Sequence, residues 1–432
     1  AAAAHLFGDA ARPRALGVIG ALTFLGMAAG PFLGAAILST IHPEGAVAAA
    51  SLEHSAVAAI AAPAWRWIFY VNVPIGLVGL VLAWAAGGGW DTPRREGRLD
   101  IVGAALFGIA LAAGLLALTL LGAATVAGTD LEPTTVSAAL GGLAVIATVL
   151  TVGRGLRSRD PFLDVRLFGS RAFSAAALVS LLTGYTFATA IIGGAVFVDR
   201  VLYGGPDEQR LALGSLAAAT AVGALVSGFA VRFASYRVVT LAGLGLSVAG
   251  LASMAGWDPG TRIRDVAIAL GTFGLGFGLS VTPRSTAAVE AAGRAAFGAA
   301  SSVVTVARMV GMAIGLAVLT AYGSTTIDRL SADIYATPDA YLAFIPESLR
   351  DRPLRDPLVV EALESWASRE AASIMVGLFV VAAGVTAAAV LPALALGGTS
   401  RGRTGAPEGA AAPAGDPRML AGDGNPDPGV IL

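Results

Sequence analysis

Arg308 stands about ten residues into a continuous apolar run over 298–321. At the helical rise of 1.5 Å per residue its guanidinium lies about 15 Å deep. A charge at that depth in hydrocarbon costs roughly 2.5–3.5 kcal/mol on insertion scales, so such groups face a cavity or a partner. No Asp or Glu sits at mid-depth in any apolar run. Asp100, Asp199 and Asp265 fall at run ends, and Glu290 falls in a connecting segment. Two readings of Arg308 stay open: it faces a central cavity and engages carbonyls or an acid elsewhere, or local carbonyls and water hold it as packing glue. Asp199 closes the longest uninterrupted apolar run and is the candidate proton carrier; its plainer reading is an interfacial residue capped by Arg200. Gly26, Gly30 and Gly34 recur every four residues, with Pro31 among them. That spacing lets a neighbouring helix approach closely, and the proline removes a backbone donor and bends the chain. Aromatic and hydroxyl side chains at mid-depth are candidates to line a cavity: Thr183, Tyr185, Phe187 and Thr189 on one run, Phe273 and Phe277 on another. Packing is their alternative role.

These residues need elements to hold them, and composition says which. Of 432 residues 56% are hydrophobic and 13% charged, with mean hydropathy +0.76, whereas soluble domains carry about 25% charged residues. A water-soluble enzyme is excluded on that ground. The apolar residues form ten blocks, at 15–41, 67–88, 100–122, 134–153, 173–199, 211–231, 238–256, 265–283, 298–321 and 371–396. Blocks of about 20 residues cross ~30 Å of hydrocarbon as helices. Barrel strands would alternate over about ten residues instead. The expected class is therefore an all-α polytopic membrane protein in the lipid bilayer.

Arginine sets the orientation, since all 28 basic residues are Arg. With the N-terminus inside, 17 arginines fall in inside segments and five in short outside loops, which places both termini in the cytoplasm. The segment 322–370, divided by Pro338, Pro346, Pro353 and Pro357, reads as an extracytoplasmic insertion with an amphipathic turn or two at Pro357–Glu370. A passive loop and a lid over an exit path both fit it. The tail 397–432, rich in Gly, Ala and Pro, reads as disordered. A net charge of −1 gives no argument for nucleic acid. Cysteine is absent, which excludes thiol chemistry, and His5, His42 and His54 share no metal-ligand spacing. No cofactor is expected. Lysine is absent, so the chain carries no G-x-x-x-x-G-K-[ST] nucleotide loop. Residues 1–11 do not form a signal peptide, no initiator Met is present, and the chain reads as incomplete at its N-terminus.

The motifs then point to a family. Arg12-Pro-Arg14-Ala-Leu-Gly17 followed by Gly26-Met-Ala-Ala-Gly30-Pro31-Phe-Leu-Gly34 resembles the antiporter motif on the fifth helix of drug exporters in the major facilitator superfamily. Trp65-Arg66-Trp67-Ile68-Phe69-Tyr70-Val71-Asn72-Val73-Pro74-Ile75-Gly76 resembles the sixth-helix entry of its fourteen-span drug:proton antiporter branch. Within it the Trp65 and Trp67 rings suit the interface, Arg66 reaches headgroups or a carboxylate, Asn72 suits a bond across helices, and Pro74 loosens the turn before it. Asp160-Pro161-Phe162-Leu163-Asp164-Val165-Arg166-Leu167-Phe168 resembles the stretch before the ninth helix. Gly271, Gly274, Gly276 and Gly278 with Thr282-Pro283 are similar to the twelfth, and Gly298–Gly315, with Arg308 and Gly311, is similar to the thirteenth.

The resemblance implies two spans of an N-terminal bundle (1–88), two linking spans (89–172) and a six-span C-terminal bundle (173–396), with the family's first four spans missing. It implies export of hydrophobic, often cationic small molecules in exchange for protons, by two bundles rocking about a midplane cavity. It also implies that coupling carboxylates lie in the missing part. In the loop Gly228-Phe-Ala-Val-Arg232-Phe-Ala-Ser235-Tyr-Arg237 the usual acid is absent. Export of lipids or metabolites on the same fold, or a membrane protein that does not transport, are the alternatives.

Overall fold

A segment in hydrocarbon must satisfy its own backbone N–H and C=O groups, so apolar runs become helices. A computed structural model describes residues 14–23, 66–86, 100–121, 131–293, 296–335, 340–353 and 355–397, together with 25, 26, 30, 37 and 63. Among the described residues every regular element is helical. The main helices are α1 (Arg14–Thr23), α2 (Asn72–Ala86), α3 (Ile101–Leu120), α4 (Pro133–Arg157), α5 (Arg171–Arg200), α6 (Pro206–Ala230), α7 (Tyr236–Met254), α8 (Ile263–Ala292), α9 (Phe297–Tyr335) and α10 (Pro357–Ala388). Among the described residues eight of them, α3 to α10, are long and apolar enough to cross a membrane; the described parts of α1 and α2 are shorter. The fold class expected from composition holds.

Two helices form the axis of the packing. In α5 and α8, 72% of the apolar window is buried, against 17% in α3 and α4. α8 lies between α6 and α7, and glycine sets the distances. A Cβ at Gly278 would collide with the Thr220 carbonyl oxygen of α6. On the other side of the layer, α9 seats Gly311 directly on the Leu181 carbonyl of α5, where again no Cβ fits. Two apolar clusters fill the bundle. One joins Phe197, Trp257, Leu270 and Phe379 toward one end, and the other joins Phe173, Tyr236, Leu244 and Phe297 toward the arginine-bearing end.

Three boundaries differ from expectation, each for a physical reason. The run expected to stop at Pro283 continues as helix to Ala292 and stops at Gly293, whose φ of 76° suits glycine. A membrane helix tolerates an internal proline where neighbouring helices enclose it, and Pro283 is buried. Arg284 and Glu290, expected in a connecting segment, therefore lie on α8, where Glu290 accepts a 2.8 Å bond from the Tyr236 hydroxyl. Second, much of 322–370 is helix: α9 extends to Tyr335, and α10 begins at Pro357 rather than 371. Acidic residues end the hydropathic signal there without ending the helix, and 39 residues of α9 span about 58 Å. Third, the chain breaks at Val71 between Trp67–Tyr70 and α2. Pro74 has no N–H to give the Tyr70 carbonyl four residues back, so the helix interrupts there. The expected tail beyond Gly397 lies outside the described residues, as do Pro31 and Gly34.

One carboxylate pins α3 and α4 together. Asp100 caps α3, accepting from the Gly103 N–H at 2.9 Å, and it also accepts from Arg154 Nε of α4 at 2.6 Å and from the Phe162 N–H at 3.2 Å. The Gly103 N–H first, then the Arg154 guanidinium, hold its carboxyl below the usual carboxylate range. A lowered folded value means that the contribution is complete at neutral pH. It is lost only as pH falls below about 4, through that lowered value. Asp100→Asn removes this contribution at every pH. Hydrogen exchange at the Gly103 and Phe162 amides, several-fold faster at pH 7 in the variant, is the expected result; unchanged exchange contradicts it.

Candidate functional site

Thr183 and Phe187 are one helical turn apart on α5, and Phe273, Phe277 and Arg284 share a face of α8 at spacings of four and seven. The two faces meet. Phe187 stacks on Phe277 with ring centroids 4.4 Å apart, and Phe273 lies 6.5 Å from Phe187 and 6.2 Å from Phe277. Arg284 follows three turns beyond Phe273 and is 1% exposed. Its guanidinium carbon sits 5.2 Å from the Phe277 ring centroid, within cation–π range. Its NH1 donates to the Thr183 hydroxyl, which itself donates to the Val179 carbonyl at 2.6 Å. Among the described residues the buried charge thus rests on one hydroxyl and one aromatic face, beside both apolar clusters.

Arg308 of α9 comes to the same region. Its backbone carbonyl lies against Gly184 of α5, where a Cβ would collide with it. Its charge is near enough to Arg284 for the two to repel. Among the described residues no Asp or Glu belongs to the buried set; Arg284 is the charged residue there. Arg284 carries no signal in hydropathy, because it follows a proline at the end of an apolar run. Its position seven residues after Phe277 and eleven after Phe273 is the signal that could have found it.

The other expected residues are placed as follows. Tyr185 is buried on α5, its carbonyl accepting from the Thr189 hydroxyl at 3.1 Å and facing Gly315 of α9. Thr183, Phe187, Phe273 and Phe277 are buried, and the three rings stack on one another. Asp199 lies near the end of α5, half exposed and paired with Arg200 at 3.1 Å. Arg66 opens the Trp67–Tyr70 turn with its N–H on the Pro63 carbonyl, and Asn72 and Pro74 are exposed in the first turn of α2. Among the described residues a Cβ at Gly26 or Gly30 would meet nothing within 4 Å, whereas one at Gly17 would lie 3.0 Å from the Ala224 carbonyl of α6. Among the described residues the close approach of α1 is the one at Gly17. Also among the described residues, no group of three His, Cys, Asp or Glu is placed to hold a metal ion.

A fixed guanidinium deep in a helical bundle attracts electron-rich oxygen and repels cations, and a low-dielectric surrounding strengthens both effects. Thr183→Val tests how it is held. Loss of a hydrogen bond to a charged group costs about 1.5–3 kcal/mol, so the melting temperature in detergent is expected to fall, with recovery in Thr183→Ser. Equal melting of all three proteins contradicts the assignment.

Residues 1–316 match the Major Facilitator Superfamily. The chain belongs to the major facilitator superfamily. It is similar to a triacylglyceride transporter of Mycolicibacterium hassiacum, 31% identical over 355 residues that make up 79% of this chain and 61% of the relative. It is also similar to a triacylglyceride transporter of Mycobacterium tuberculosis, 29% identical over 78% of this chain and 63% of the relative. A multidrug resistance protein B homolog of the same species is 28% identical over 78% of this chain and 57% of the relative. The matches span about three fifths of the length of these relatives. In a major facilitator protein substrate sites lie near the bilayer midplane between two halves.

Proposed function

We propose that the protein is a secondary transporter that exports an uncharged molecule bearing acyl chains, and that protons drive it. The observation that carries this reading is the buried interior itself, which holds Arg284 beside aromatic rings and, among the described residues, no carboxylate. Such an interior repels a cationic substrate and accepts hydrocarbon, while the guanidinium can engage an ester carbonyl. The similarity to proteins named triacylglyceride transporters supports the same substrate class. Glycine-set contacts make α6, α7 and α8 one close-packed unit that can rock as a body about the site. We place the arginine-rich connections, and with them both termini, in the cytoplasm. Proton exchange is supported by the antiporter-motif resemblance of Gly26–Gly34. Asp199 would take up its proton at the membrane surface, beside Arg200, rather than in the core.

Export of hydrophobic cations is the second reading, supported by the similarity to the multidrug resistance protein B homolog. Displacement of a fluorescent acylglycerol from the purified protein separates the two. Unlabelled triacylglyceride is expected to compete and a lipophilic cation to leave the signal unchanged. Competition by the cation alone overturns the lipid reading.

A further inference from the structure

A second feature lies on the flank of the bundle. α3, α4 and α9 enclose a groove of about 480 Å³ lined by Phe107, Leu111, Leu118, Val145, Val152 and Ile314, among others. The hydroxyls of Thr148 and Thr151 in its lining are turned back onto their own helix, on the Ala144 and Ala147 carbonyls at 2.7 and 2.8 Å. The groove therefore offers a ligand hydrocarbon contacts alone. From Phe107 to Leu118 it runs along α3 for about 16 Å by helical rise, close to one leaflet of a ~30 Å hydrocarbon core.

One end of the groove carries charge. Leu163 belongs to its lining, and the Phe162 ring packs on Phe107 with centroids 5.9 Å apart, in the connection that follows α4. Five arginines belong to the last turn of α4, the connection after it and the first residue of α5: Arg154, Arg157, Arg159, Arg166 and Arg171. Arg154 is taken by Asp100, and Arg166 donates to the Leu156 carbonyl at 2.9 Å. Arg157, Arg159 and Arg171 are exposed and make no ion pair among the described residues. The acids nearby are Asp160 and Asp164, and Asp164 accepts the Arg166 backbone N–H at 3.1 Å. Free guanidinium groups over a chain-length apolar channel complement a phosphate headgroup carrying an acyl tail.

We infer that this groove is a binding site for an anionic phospholipid of the bilayer, with one acyl chain against α3, α4 and α9 and the phosphate on Arg157 and Arg159. It is separate from the Arg284 site and does not depend on what the protein transports. Its occupant holds the linking hairpin α3–α4 against α9.

The test uses the protein in nanodiscs of phosphatidylcholine with increasing phosphatidylglycerol, the added lipid brominated in its acyl chains. A reporter tryptophan is introduced by Leu111→Trp in the groove or, as a control, by Val222→Trp on the exposed face of α6. Half-maximal quenching of the groove reporter is expected at a several-fold lower fraction of brominated phosphatidylglycerol than of brominated phosphatidylcholine. The preference is expected to vanish when Arg157→Gln and Arg159→Gln are added, with the melting temperature unchanged. Three results would overturn the site: equal quenching by the two lipids, the same preference at Val222→Trp, or a preference that survives loss of both arginines.

Discussion

Arg284→Met is expected to give a folded protein whose transport rate falls at least tenfold. The two halves of that expectation have separate causes. Stability should hold because replacing a buried charge by an apolar side chain of similar length is often neutral or favourable. Nothing is orphaned by the change: the Thr183 hydroxyl keeps its bond to the Val179 carbonyl, and Arg308 is relieved of a neighbouring like charge. Transport should fall because, among the described residues, the guanidinium is the charged group of the buried set, in which the other polar groups are Ser and Thr hydroxyls, so the step that orients a substrate carbonyl loses its charged partner. A tenfold loss corresponds to about 1.4 kcal/mol of barrier, which is within the reach of one charge-assisted hydrogen bond. Arg284→Lys should recover part of the rate, since it keeps the charge and loses the planar fork. Initial rates in vesicles, measured beside melting temperatures, check both halves. A wild-type rate in Arg284→Met would reduce Arg284 to a packing residue.

Gly311→Leu is expected to abolish folding, and Gly311→Ala to lower the melting temperature by several degrees. A Cβ at Gly311 would run into the Leu181 carbonyl and stand 3.0 Å from the Tyr185 nitrogen. Both neighbours are backbone of α5, so the clash cannot be relieved by turning a side chain. Overpacking of this kind costs about 1–3 kcal/mol for a small intrusion and more for a large one. The same interface seats the Arg308 carbonyl on Gly184, so forcing α9 away from α5 also displaces the second arginine. Gly245→Ala is the control. It lies mid-helix on α7 with nothing within 4 Å of its Cβ position, and there alanine should be neutral or stabilising by about 0.5–1 kcal/mol. Equal melting of Gly311→Ala and Gly245→Ala would refute the close approach.

The contrast between these glycines shows what the sequence could reveal. The helices were legible because hydropathy acts over 20 residues at once and each long apolar run has one stable backbone solution in lipid. Gly26 and Gly30 have the spacing of a contact face; among the described residues the close approach on α1 is the one at Gly17. Spacing marks where a neighbour can come close, while the position of the neighbour is a property of the other helix. Phe187, Phe273 and Phe277 were visible as mid-depth aromatics. That they stack on each other rather than stand apart depends on the rotation of α5 against α8, which no single run encodes. Arg284 was missed because a proline beside an arginine imitates the end of a span. The helix itself runs on to Ala292 and ends at Gly293, at a positive φ. The acids of 322–370 misled in the same way, since hydropathy reports where lipid ends and α9 continues as helix beyond that point.

Transport as proposed carries a lipid-like molecule through a bundle that holds a buried positive charge. The direct measurement is movement of a fluorescent acylglycerol across proteoliposome membranes with and without an imposed proton gradient, in wild type and Arg284→Met. Gradient-dependent movement in the wild type that falls at least tenfold in the variant is predicted. Movement that ignores both the gradient and the substitution, or none at all from a well-folded wild-type protein, contradicts it.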